Sequence, residues 1–511
     1  MPCGQFVVSA SVLDAPTAFL ADVSDRFYTQ VLAWLLLAAG IYFTVGTRCV
    51  QLRLFGRMIA TIARSRSNTA GGISAFQAFT VGLASRVGTG NIVGVAIAIT
   101  LGGPGAVFWM WVVALVGMAT GFVESTLAQM YKVASPDGTF RGGPAYYISR
   151  GLGSRFWGSV FAVIITFVFG FAYEATQANA ISGALEGTFG VNRWLTAVVL
   201  VAITGPVVFR GIRRVARITE WVAPVMALLY AVLAVVILLV NIRAIPGAFS
   251  MILQGAFGLQ EAFYGTAGGI TAAVINGVKR GLFSNEAGEG SVPNAAATAS
   301  TPHPVNQGFI QSFGVFMDTM VVCTATALIV LLSGVYSPDP AVADTLNANT
   351  LTAQSVAAVL GPWAEGLMAV VIFVFAYSSL LGNYTYAEIN VDFLRRGSRT
   401  SGHLFLRSMI VVATFSGSVA SLELVWNLSD IAMGVMAVIN IVAIILLGRW
   451  AFGALRDWEA QNAAVRQGQA RQIRFVSTSN PHLPGVLPGQ VWSTPDNVPE
   501  SLATAQPEDK A

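Results

Sequence analysis

Eleven predominantly apolar stretches, each near the 20 residues that cross a bilayer as a helix, fall at about 28–47, 75–102, 106–131, 158–182, 193–209, 218–241, 254–278, 308–334, 363–393, 404–421 and 427–448. So many such stretches in one chain can be satisfied only by a membrane-embedded bundle whose helices bond their own backbones. Composition agrees: of 511 residues, 55% are hydrophobic and 11% charged, with mean hydropathy +0.66, whereas a soluble domain is about a quarter charged. The expectation is an all-α polytopic membrane protein with about eleven spans and lipid as its permanent partner.

Basic residues alternate between the loops. Arg48, Arg53, Arg57, Arg64 and Arg66 follow the first stretch, and Arg210, Arg213, Arg214 and Arg217 lie between the fifth and sixth. The intervening loops hold Arg26, Arg193 and Arg243, with no Lys or Arg between Ser333 and Asp392. The positive-inside rule then places the chain in the cell membrane with its N-terminus outside and its C-terminus in the cytoplasm. It divides the chain into an external segment, 1–27, a transmembrane domain, 28–450, and a cytoplasmic polar tail, 451–511, expected to be disordered beyond about residue 475. The first 27 residues have neither a basic n-region nor a clear cleavage site, so they do not read as a signal peptide. The net charge of +4 is spread between apolar segments, without the basic patch and interleaved aromatics that nucleic-acid binding requires.

Two apolar stretches are interrupted. Arg86, Val87, Gly88, Thr89, Gly90 and Asn91 break the second, and Thr266, Ala267, Gly268 and Gly269 break the seventh. Glycines there could simply let helices pack closely. They could instead unwind the chain so that half-helix ends and freed carbonyls face a solute near the bilayer midplane. Thr89 and Asn91 bring polar side chains that packing does not need, and Arg86 must face protein or water.

Enzyme chemistry has little support. Cys3, Cys49 and Cys323 are scattered, as are His303, His403 and His482, so no disulfide framework or zinc site forms by spacing. The Gly-Thr-Gly-Asn run lacks the Lys-Ser/Thr of a phosphate loop, and no cofactor is called for. A channel would want rings of like charge or repeated carbonyl filters, and the chain has neither. Glu124, Glu174, Asp318 and Glu388 could be coupling sites or proton carriers, or could cap helix ends and pair with arginines. Glu286 and Glu289, near Lys279 and Arg280 in sequence, read better as a structural cap or an inner gate than as ion ligands.

The runs GTGNIVGVAIAITLGGPGAVFWMW (88–111), GGPAYYISRGLG (142–153), FSNEAGEGSVPNAAATA (283–299), HPVNQGFIQSFGVFMDT (303–319) and SSLLGNYTYAE (378–388) resemble, in order, the signatures of the alanine/glycine:cation symporters. The resemblance covers about residues 30 to 450. It implies a leucine-transporter type fold, a 5+5 inverted repeat with one extra N-terminal helix, with repeat one at about 75–241 and repeat two at about 254–448. It also implies sodium-coupled symport of a small neutral amino acid such as alanine or glycine. A proton-coupled or broader-specificity amino-acid transporter is the alternative reading, and an ion channel a remote one.

By that resemblance the coupling sodium is held by hydroxyls of Ser378 and Ser379 with carbonyls of Ala84 and Val87, and Phe375 as a further ligand. The adjacent serines could instead bond back to helical carbonyls, as such residues commonly do. For the amino acid, Thr89, Gly90 and Asn91 form the carboxylate cradle. Freed carbonyls near Gly268 and Gly269 accept the ammonium group. Tyr173 and Gln177, one turn apart on one helix face, line the pocket, and the family uses a glutamine here. Ile270 belongs to the side-chain wall, and Asn383 stands where some relatives carry a bulky aromatic, which bears on the upper size of the substrate.

Overall fold

In the computed structural model, the described residues are 14–65, 73–135, 139–209, 225, 228–258, 269–337, 346–395, 402–489 and 491–494. They are mostly helical, with one short β-ribbon, Val133–Ala134 paired with Phe140–Arg141. Six helices are long and apolar enough to cross a membrane: Pro16–Gly46, Gly105–Met130, Arg155–Phe189, Pro304–Leu332, Trp363–Leu394 and Leu422–Arg466. Two bent pairs raise the number to as many as eight, Ala75–Arg86 with Gly90–Gly102, bent by 48°, and Leu228–Val240 with Ile242–Ala256, bent by 77°. The other expected spans meet shorter helices, Arg193–Val208, His403–Val419 and Gly269–Asn285.

Local sequence sets the helix starts. Ser74 and Gln77 form a reciprocal capping box before Ala75–Arg86, and Ser154, Asn192, Asn347 and Ser421 each accept a first-turn N–H at their helix starts, removing donors that would otherwise be orphaned in an apolar setting. The helix Gly105–Met130 is buried without interruption from Gly117 to Met130 and packs against Gly269–Asn285, Pro304–Val315 and Ala33–Gly46. Its glycines explain the closeness: a methyl group added at Gly117 would stand 3.1 Å from Ala287 Cβ.

Two expectations about the ends are corrected. The first helix begins at Asp14 rather than near residue 28 and runs on through a wide π turn at Tyr28–Leu32; Arg26, read as a loop residue, lies within it and pairs with Asp22 on its exposed face at 2.8 Å. The tail beyond 475 is ordered to residue 494, apart from undescribed 490. Its few apolar side chains are spaced as anchors, and Phe475, Leu487 and Trp492 are all buried. Phe475 N donates to Pro302 O at 3.0 Å and Trp492 Nε1 to Gln129 O at 2.8 Å, strapping the tail across one end of the bundle.

Candidate functional site

The first break lies where expected, and its hydrogen bonds show how it opens. In a continuous helix the Gly88 N–H would meet the Ala84 carbonyl. Instead it donates to Asn91 Oδ1 at 2.9 Å, and Ser379 Oγ reaches across to donate to Ala84 O at 3.0 Å. Thr89 N donates to Gln177 Oε1 at 3.4 Å. A five-residue π turn, Gly90–Gly94, follows, a distortion that recurs at functional sites. Gly90 is required for space: an added Cβ would sit 2.9 Å from Phe283 Cδ1 and 3.2 Å from Ser284 Cα.

Of the second break expected from the sequence, residues 266–268 lie outside the described set; Gly269 opens a regular helix, and Ile270 is 46% exposed. Among the described residues the chain unwinds between Gly269–Asn285 and Val292–Thr298, at the run Glu286, Ala287, Gly288, Glu289, Gly290 and Ser291. Glu286, Gly288 and Gly290 have φ of 56°, 96° and 83°, the left-handed region that ends a helix. The sequence carried the same signal as the first break, paired glycines among polar residues. Its chain neighbours Lys279 and Arg280 drew attention away, but they turn elsewhere. Lys279 donates to Ser24 Oγ at 2.8 Å and Asp25 Oδ1 at 2.6 Å, and Arg280 pairs with Asp430 and stacks on Trp426, 4.5 Å from the ring centroid.

The two breaks touch. Ser85 Oγ hydrogen-bonds Glu286 Oε1 at 2.9 Å and Asn383 Oδ1 at 3.0 Å, and Asn91 Nδ2 donates to Ser284 Oγ at 3.0 Å and Asp318 Oδ1 at 2.6 Å. Asp318 also accepts from Ser284 and Thr319, at 2.6 and 3.0 Å, inside another wide turn, Phe316–Cys323. Tyr173 and Gln177 span the gap: Gln177 touches the first break, while Tyr173 OH donates to Glu289 Oε1 at 3.0 Å on the second. Tyr173, Phe283 and Trp426 form an aromatic row with successive centroids 4.6 Å apart.

Of the residues singled out in sequence, Thr89, Gly90, Asn91, Tyr173, Gln177 and Asn383 thus converge, as do Ala84 and Ser379. Ser378 bonds back to Phe375 O at 2.8 Å, which brings that carbonyl and both hydroxyls to one helix turn beside the break, where Val87 is also buried. Ser284, Phe283 and Trp426 are the members that sequence reasoning missed, while Glu286 and Glu289, read there as a structural cap or an inner gate, stand in the unwound run itself. Glu124 caps the second break, accepting from Gly288 N at 3.3 Å and Asn440 Nδ2 at 2.9 Å. Glu388 sits at a helix-end charge cluster with Tyr384 and His403. Among the described residues no group of three or more His, Cys, Asp or Glu is placed to hold a metal ion, so a cation here would rely on carbonyls and hydroxyls.

Apolar spans enclosing two unwound segments in contact, with polar side chains from three further helices between them, define a membrane transporter of the broken-helix kind. Residues 13–472 match the sodium:alanine symporter family. The probable sodium/glutamine symporter GlnT of Bacillus subtilis (strain 168) is 45% identical over 86% of this chain and 90% of its own length. The amino-acid carrier protein AlsT of the same organism is 44% identical over 93% and 97%, and the sodium/alanine symporter AgcS of Methanococcus maripaludis 38% identical over 84% and 95%. The chain belongs to the sodium:alanine symporter family. It is therefore a membrane transporter of the sodium-coupled amino-acid symport class, and not an enzyme.

Proposed function

We propose that this protein couples the inward movement of sodium to uptake of a small neutral amino acid, alanine or glycine, by alternating access, with its N-terminus outside the cell and its tail in the cytoplasm. The observation that carries the reading is the pair of contacts on one short segment: Ser379 on the Ala84 carbonyl and Gln177 on the Thr89 N–H. They divide the segment by polarity. Freed carbonyls at Ala84 and Val87, with Ser378, Ser379 and the Phe375 carbonyl, offer neutral oxygens that suit a hard, releasable cation. The N–H groups of Thr89, Gly90 and Asn91 open the helix Gly90–Gly102, whose positive pole favours a carboxylate. Sodium and carboxylate bound side by side would stabilise each other, which is the coupling.

The same reading takes the two broken helices as equivalent members of an inverted 5+5 repeat, the arrangement that the family resemblance implies.

A second reading, glutamine, is favoured by Asn383. Its Nδ2 is buried without a hydrogen-bond partner, and a substrate side-chain amide would supply the missing acceptor. The relative named a probable sodium/glutamine symporter is consistent with it.

Purified protein in liposomes, given labelled alanine and an inward sodium gradient, tests both. Concentrative uptake that glycine inhibits and potassium or a proton gradient cannot support is the expected result. Stronger inhibition by glutamine than by glycine would select the second reading, and absence of sodium-driven accumulation of any amino acid would overturn both.

A further inference from the structure

The clustered breaks gather four acidic side chains in buried surroundings. Glu124, Glu286, Glu289 and Asp318 are all fully or almost fully buried, and burying an uncompensated charge is costly. Among the described residues of the cluster Arg86 is the basic side chain not paired with a carboxylate, since Arg280 is paired with Asp430. Three of the four carboxylates are nonetheless well served by donors. Glu124 accepts from Gly288 N and Asn440 Nδ2, Glu286 from Ser85 and Ser291 hydroxyls, and Asp318 from Asn91, Ser284 and Thr319.

Glu289 differs. Tyr173 OH occupies Oε1, but Oε2 is buried with no hydrogen-bond partner. The other unpaired polar atoms on this cluster include Asn383 Nδ2 and the Nε and Nη2 of Arg86, which can only donate. An ionised Glu289 can only accept, so what its free oxygen lacks is a donor, best a positively charged one. Glu174 also has unpaired oxygens, but it lies roughly 100° around the helix from Tyr173 and off the face that bridges the breaks.

Resting on the function proposed above, we propose that Glu289 Oε2 receives the ammonium group of the substrate. The geometry supplies opposite poles. Gln177 marks the N–H groups of the first break, and Tyr173 marks the carboxylate of the second. These two residues are one helical turn apart, with Cβ atoms about 5–6 Å from each other, a spacing that an α-amino acid bridges with its carboxylate at one side and its ammonium at the other. Glu289 is thus a substrate-binding residue that selects zwitterions over plain carboxylates, and its negative charge offsets that of the sodium bound beside the first break.

The test is binding of labelled alanine to purified protein at saturating sodium, with competition by unlabelled L-alanine, L-lactate and propionate. Wild type is expected to prefer alanine strongly. Glu289→Gln, which keeps an acceptor for Tyr173 but loses the charge, should weaken alanine at least tenfold, leave lactate and propionate within threefold and so erase most of the preference. Glu289→Asp, which retains the charge on a shorter arm, should bind alanine more tightly than Glu289→Gln. Unchanged alanine affinity in Glu289→Gln, an equal loss for alanine and lactate, or the reverse order of the two variants would overturn the assignment. Wild-type protein that binds no amino acid in sodium would instead refute the underlying transport reading.

Discussion

Gln177 and Ser379 act on the same broken segment from opposite sides, and each yields a separable prediction. Replacing Gln177 by Ala removes the side-chain amide beside the carboxylate cradle, and a hydrogen bond to a charged group is worth about 1–3 kcal/mol, so alanine affinity should fall roughly 5- to 150-fold. Equilibrium binding at saturating sodium measures this, and an unchanged affinity would place the carboxylate elsewhere. Ser378→Ala with Ser379→Ala removes the hydroxyls on Phe375 O and Ala84 O and should raise the sodium concentration for half-maximal uptake. An unshifted sodium dependence would contradict the cation site. Most of these residues were legible in the sequence, because Thr89, Asn91 and Gln177 are polar where packing wants none. At Gly90 the backbone φ is not left-handed, and the closeness of Phe283 and Ser284 is what excludes a side chain. Ile270, expected in the side-chain wall, is 46% exposed, and the residues just before it lie outside the described set.

At the scale of elements, the unwound run after Asn285 was the least legible part of the site. Its residue types resemble a helix cap, and only the folded chain shows Glu286 at φ 56° with Gly288 and Gly290 also left-handed. Lys279 and Arg280 are close in sequence yet bind Asp25 and Asp430, on the first and last long helices, which chain proximity cannot reveal. This conformation makes a direct prediction. At Gly290, with φ 83°, an added Cβ would lie 2.7 Å from Pro144 Cγ and 2.8 Å from Asn440 Cγ. Gly290→Ala should therefore lower the thermal unfolding temperature, with about 1–2 kcal/mol from the left-handed backbone alone and more from the clash. A variant as stable as wild type would show that the run is not held as described.

Across the whole molecule, the membrane bundle was readable from apolar length alone, whereas the docked tail was not, because its polar composition outweighs three well-placed anchors. His303 ties that tail to the bundle. Its Nδ1 accepts from Val305 N at 3.2 Å, its Nε2 faces Asp457 Oδ2 at 3.1 Å, and its ring meets Phe475 edge-on at 5.0 Å. The cap at Nδ1 requires a neutral ring, and burial lowers the His303 pKa despite the help of Asp457. With the folded value below the unfolded one, the unfolded state takes up the proton first as pH falls. The His303 contribution is thus full above about pH 6.5 and is lost progressively below it. Hydrogen-exchange protection across 475–489, taken relative to the intrinsic rate at each pH, should fall between pH 7.5 and 5.5, and His303→Asn, which keeps a capping oxygen but cannot titrate, should flatten that dependence. Equal pH dependence in both proteins would exclude His303 as the cause.

The central claim is that sodium and the amino acid share one broken segment, so their binding must be linked, and reciprocally. The most direct measurement is the dissociation constant of labelled alanine for purified protein across a sodium series at constant ionic strength, potassium replacing sodium. The account predicts that the constant falls as sodium rises and then levels off, with the same curve displaced to higher sodium in the Ser378→Ala, Ser379→Ala protein. An alanine affinity that is the same in sodium and in potassium would contradict it.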